Sequence, residues 1–248
     1  MEKELKQAVK ALKERLGIGA VRYGYYGIKA AHDREDLYIS SLTGKLEGFH
    51  SCSTSPERSE FCNRMHACPG SICSVCFSRR SVIPEEGGYK HGLRDNLSHN
   101  YDWLNISRTV DQFPVLNDLY FRIESHGDVD TPIQAENFIH LYQRNPDTRF
   151  TAWTKNPIAW NEAFKALGKP TNLIMVYSSP MINIEVRYED IVKVFPWVDK
   201  VFTVYSPEYI IDHPEIEGTI NCGTRQCMSC LLCYRKDNDV RQIRELQK

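Results

Sequence analysis

Apolar positions follow two different rhythms along this chain, with a quiet stretch between them. Leu5, Val9, Leu12 and Leu16 fall at helical spacing with Lys and Glu between, which predicts an amphipathic helix over residues 2–16. The aromatic, alternating stretch AVRYGYYGIKA that follows predicts a strand. From residue 51 to residue 99 periodicity gives way to Ser, Pro, Gly, Cys and charge, and the segment reads as one long structured loop. A loop of this length needs a physical reason, and a metal held by its cysteines would be one.

Regularity then returns. LYFRIES (119–125), RFTAWT (149–154), NLIMVYSS (172–179) and KVFTVYS (200–206) are rich in β-branched and aromatic residues and predict strands. Segments 132–144, 158–167 and 187–195 predict the helices between them. The strands recur about every 25 to 30 residues, the length of a βα unit. That alternation implies a parallel sheet, open or curled into a partial (β/α) barrel. The closing stretch DNDVRQIRELQK reads as a polar helix or tail. No low-complexity linker divides the chain, so residues 1–248 read as a single α/β domain. Its parts are a front cysteine loop (51–99), a βα core (118–206) and a rear cysteine loop (221–234).

In parallel α/β architectures chemistry sits at the C-terminal ends of the strands. There the sequence puts Glu124, His126, Gly127 and Asp128, then Thr154, Lys155 and Asn156, then Ser178 and Ser179, then Tyr205 and Ser206. Any one of these could simply cap the next helix; together they are better explained by a shared cleft.

Charge narrows the partners. Thirty-one basic residues face thirty-two acidic ones, so no global field draws the chain to nucleic acid or to a membrane. A short basic patch, Arg79, Arg80, Lys90 and Arg94, with Tyr89, His91 and Tyr101 for stacking, leaves a nucleic-acid-binding module as the alternative reading. The N-terminal stretch has no apolar signal core, and no run reaches the roughly eighteen apolar residues of a membrane span. The expected compartment is the cytoplasm, where thiols stay reduced.

Nine cysteines then become the main chemical signal. Cys222, Cys227, Cys230 and Cys233 are spaced C-x4-C-x2-C-x2-C, and Cys62, Cys68, Cys73 and Cys76 are spaced C-x5-C-x4-C-x2-C. Structural zinc usually takes two C-x2-C pairs held well apart; four cysteines on one short loop look like the runs that hold iron–sulfur clusters. One or two [4Fe-4S] clusters are therefore expected, with zinc as the alternative metal. In the front set all four cysteines could bind one centre, or Cys62, Cys73 and Cys76 could bind three irons and leave a fourth open to a small molecule. His66 lies among them as a further possible ligand. Cys52 reads as a small half-buried hydrophobe. No phosphate-binding loop, dinucleotide fingerprint, serine-hydrolase elbow or zincin motif is found.

SEFCNRMHACPGSICSVCFSRR, LYFRIESHGDV, RFTAWTKN and NCGTRQCMSCLLCY, in that order and spacing, resemble the phage gene product eighty-eight family over about residues 38 to 234. That family in turn looks related to the radical SAM enzymes. The resemblance implies a partial barrel and an early cluster on Cys62, Cys73 and Cys76. It further implies S-adenosylmethionine held by Gly127 and Asp128, an auxiliary cluster on the four rear cysteines, and Thr154 and Lys155 at the barrel mouth. Radical SAM enzymes carry C-x3-C-x2-C where the last three front cysteines here read C-x4-C-x2-C. The functional expectation is a redox or radical SAM-like enzyme, with Asp128, His126 and Lys155 orienting a small-molecule substrate. Its cofactor would draw on an electron donor in a bacterial host's cytoplasm.

Overall fold

Strands β1 (Ser40–Ser41), β2 (His50–Cys52), β3 (Tyr120–Ile123), β4 (Arg149–Thr154), β5 (Leu173–Ser178), β6 (Lys200–Tyr205) and β7 (Gln242–Leu246) form one seven-stranded sheet in the order of the sequence. Only β1 runs antiparallel to its neighbour; β2 to β7 are parallel throughout. The sheet is not closed into a barrel. This is a computed structural model, and it describes residues 7–8, 10–11, 37–86, 91–223 and 225–247. The helix expected over 2–16 is described at four positions, all helical; its remainder and the strand expected at 20–30 lie outside the described residues.

The strands of the βα core stand where the apolar runs predict them. Helices α1 (Glu60–His66), α2 (Phe77–Val82), α3 (His91–Leu104), α4 (Pro132–Arg144), α5 (Pro157–Leu167), α6 (Tyr188–Val194), α7 (Pro207–Asp212), α8 (Pro214–Glu217) and α9 (Cys227–Cys230) connect them. Start signals explain several boundaries: the Thr131 side chain accepts from Gln134 N, and proline opens α4, α5, α7 and α8. Among the described residues no helix is long and apolar enough to cross a membrane.

Side-chain alternation gives the sheet two different faces. Cys52, Phe121, Ile123, Phe150, Ala152, Leu173 and Met175 point to one face. There they pack on Phe138, Ile139 and Tyr142 of α4 and Trp160 and Phe164 of α5. The opposite face presents Phe49, Tyr120 and Trp153, and the rear cysteine loop lies on it through Cys227, Leu231, Cys233 and Tyr234. The loop is thus packed against this face of β3 and β4.

Two expectations are corrected. The stretch from 51 to 99 is not a loop: it holds the end of β2, the helices α1 and α2, and most of α3. Its periodicity is hidden because polar residues occupy inward positions. In α3, Leu93, Asn96, Leu97, Asn100 and Leu104 are all buried. Asn100 Nδ2 donates to Tyr38 O at 2.9 Å and Ser53 O at 3.0 Å, while its Oδ1 accepts from Tyr38 N at 2.8 Å. Asn100→Ala would strand these backbone groups, and urea unfolding is expected to show a loss of about 2–4 kcal/mol. The second correction is β7, within the stretch expected as a polar helix or tail. It is short, and its polar residues flank the buried Ile243 and Leu246.

Candidate metal centres

Short caps, not long elements, hold the front cysteines over the ends of β2 to β5. Cys62 lies in the first turn of α1, where Ser59 Oγ accepts from its backbone N–H at 3.0 Å. Asp130, beyond β3, caps the same helix by accepting from Glu60 N at 3.0 Å and Phe61 N at 2.9 Å. Ser71 accepts from Cys73 N at 3.1 Å and donates to Pro180 O at 3.1 Å, and Ile72 N donates to the same carbonyl at 2.9 Å. That stitches the loop to the segment after β5. Cys76 is the cap residue of α2.

Cys62, Cys73 and Cys76 come close enough for their charges to act on one another, with Lys155 and Asp128 in the same group. Burial pushes the Cys62 and Cys73 thiols up. Burial alone would lower Lys155, but Cys73, Asp128, Cys76 and Cys62 outweigh it and hold the ammonium charged. Cys68 stands apart: its sulfur neighbours the Pro69 carbonyl at 3.9 Å, and it is not among the principal charges acting on Cys62 or Cys73. His66 is also turned away, with Nδ1 3.0 Å from Cys73 O and Nε2 3.8 Å from Glu86.

The strand-end residues form the floor. Asp128 accepts from Thr154 Oγ1 at 2.8 Å, Lys155 N at 2.6 Å and Val129 N at 2.9 Å. Burial still pushes it up to about 6, against those bonds and the Lys155 charge. His126 is buried, with Nδ1 3.0 Å from Ser78 Oγ on α2, so it ties the end of β3 to the helix behind Cys76. Gly127 sits at φ +69, and a Cβ there would come within 2.6 Å of Thr54 O. Glu124, at φ 55, accepts from Thr54 N at 2.9 Å and Thr54 Oγ1 at 2.8 Å. Residues 124–128 are therefore fixed against the end of β2 in a conformation that favours glycine. Ser179 and Ser206 serve local turns and caps instead, Ser179 Oγ donating to Met181 O at 3.0 Å and Ser206 Oγ accepting from Tyr209 N at 3.2 Å, while the Tyr205 hydroxyl donates to Glu185 at 3.0 Å.

The rear cysteines gather around a shallow, solvent-open hollow. Cys222, Cys227 and Cys230 all act electrostatically on Cys233. Burial drives Cys222 up to about 12, and burial likewise raises Cys227 and Cys233. Two cations face them. Lys45 Nζ donates to Cys222 Sγ at 3.0 Å and to Glu245 Oε1 at 3.0 Å. Arg122, in mid-strand β3, lies with its guanidinium 4.0 Å from the centre of the Trp153 ring. Neither cation was foreseen from the sequence. An arginine inside the apolar run LYFRIES was a usable signal; Lys45 gave none. Among the described residues, no three or more of His, Cys, Asp and Glu are gathered tightly enough to hold a single metal ion.

A family model described as Gene product 88 matches residues 9–236. The chain belongs to the Gene product 88 family. The match takes in every cysteine of this Gene product 88 protein, and β7 lies beyond it. No curated protein and no solved structure matches the chain.

The basic patch of this Gene product 88 protein is largely spent on internal partners. Arg79 reaches Glu86, Pro56 O and Asn63, and Arg94 pairs with Glu57. Tyr101 donates to Asp130 at 2.8 Å. Arg80 is exposed, while Tyr89, Lys90 and the His91 side chain lie outside the described residues.

Proposed function

We propose that this protein is an iron–sulfur redox enzyme, with a [4Fe-4S] cluster held by Cys62, Cys73 and Cys76 at the C-terminal edge of the sheet and a second held by Cys222, Cys227, Cys230 and Cys233. The observation that carries the reading is the front group: three thiols and Lys155 beyond the parallel strand ends, with Cys68 outside. A three-thiolate set leaves one iron without a protein ligand, and such a cluster supplies one-electron chemistry to a small molecule bound there. The radical SAM-like reading, with S-adenosylmethionine as that small molecule, is supported by the sequential strand order, which a partial barrel shares, and by the glycine–acid pair at Gly127 and Asp128.

The donor chemistry fits the group. A cubane seats each thiolate on its own iron, so its ligands need not converge on one point as they do around zinc. Ligation requires thiolates; Lys155 in front and Lys45 and Arg122 behind are the cations that offset their charge. Lys155 is the residue placed to orient a substrate beside the front centre. Asp128 fixes the end of β4 through Thr154 and the Lys155 backbone, and His126 fixes α2 through Ser78.

Anaerobic reconstitution with iron and sulfide tests this. A broad visible absorption, an EPR signal on reduction and, with S-adenosylmethionine and a low-potential reductant, either 5′-deoxyadenosine or a shifted signal are expected. A cluster without either response removes S-adenosylmethionine from the account. Folded, colourless protein that takes up zinc instead overturns the redox reading.

A further inference from the structure

Two buried donors beside the rear cysteines lack a well-formed hydrogen bond to any described residue, Arg122 Nε and the Tyr234 hydroxyl; the two side chains lie within reach of each other and of Cys227 and Cys233. Orphaned buried donors cost about 1–3 kcal/mol each, and a guanidinium in mid-sheet is an unusual place to accept that loss. Neither group can easily turn elsewhere. Arg122 lies against Trp153. The Tyr234 ring is wedged 4.3 Å from that of Phe49 and 5.5 Å from that of Trp153, centre to centre. Cys227 and Cys233 pack into this same aromatic cluster. Tyr234, Lys45 and all four rear cysteines line the hollow.

We propose that Arg122 and Tyr234 are positioning residues for the rear centre, donating N–H and O–H hydrogen bonds to its sulfurs as Lys45 does to Cys222, and that they set its reduction potential. This rests on the cluster reading above. Hydrogen bonds and positive charge at the sulfurs stabilise the more negative, reduced state, so they raise the potential. Arg122 is the larger contributor because it brings both a charge and a donor.

Potentiometric titration followed by EPR on anaerobically loaded protein tests the proposal. Arg122→Met is expected to keep its iron, yet lower the reduced-to-oxidised ratio of the rear centre about tenfold at fixed potential, about 59 mV for one electron. Tyr234→Phe is expected to shift it in the same direction by less and to serve where Arg122→Met fails to fold. The front signal should hold still in both. Unmoved rear potentials in variants that retain full iron overturn the proposal while leaving the cluster reading intact. If Cys227→Ser leaves the iron content unchanged, the rear cluster itself falls, and the proposal with it.

Discussion

Cys73→Ser is expected to strip about four irons from anaerobically loaded protein, whereas Cys68→Ser strips none. The contrast follows from placement. Cys73 is held by Ser71 and lies among Cys62, Cys76 and Lys155, while Cys68 is directed at the Pro69 carbonyl. Unaltered protein should carry about eight irons if both sets hold cubanes, and Cys227→Ser should remove the other four. Iron and acid-labile sulfide assays, with visible absorption, read all three variants directly. Loss of iron from Cys68→Ser would make Cys68 a ligand and close the coordination site on which the enzymatic reading depends.

The second large effect is structural. Gly127→Ala is expected to destabilise the fold by roughly 3 kcal/mol, because a non-glycine residue at this positive φ is strained and the new Cβ meets backbone, which cannot give way. For a chain of this size that corresponds to a fall in Tm of about 6–12 °C, read by calorimetry. Asp128→Asn, which keeps the backbone but weakens the acceptors for Thr154 and Lys155, should cost less. An unchanged Tm for Gly127→Ala would mean that residues 124–128 are not clamped against Thr54. The glycine at this position therefore has a packing reason that stands whether or not S-adenosylmethionine binds.

The βα core was legible because parallel strands covered on both faces read as apolar runs, and LYFRIES, RFTAWT, NLIMVYSS and KVFTVYS are such runs. The front helices were not, since α3 buries Asn96 and Asn100 where a helical stripe would show leucine. Strand β2, with the sequence HSC, is too short and polar to announce itself. Cysteine spacing alone marked both sets; which members act on one another, as Cys62, Cys73 and Cys76 do, depends on turns such as that at Gly70 and Ser71. Cys52, read as half-buried, is fully buried under Asn100. Lys45 and Arg122 meet the rear loop from about 180 and 100 residues earlier in the chain, a separation that only the assembled sheet closes.

Strand β7 also carries a temporal consequence. Cys222 is bridged to Glu245, and its amide donates to Arg244 O at 3.0 Å, so the rear set has its scaffold only once β7 has docked. On the ribosome β7 emerges after every other described element, whereas the front set leans on β5, on the turn that follows it and, through Ser179 N to Phe202 O and Asn183 N to Val204 O, on β6, all of which come earlier. If the proposed clusters are loaded onto the nascent polypeptide, the front thiols are organised first and the front centre would fill before the rear one.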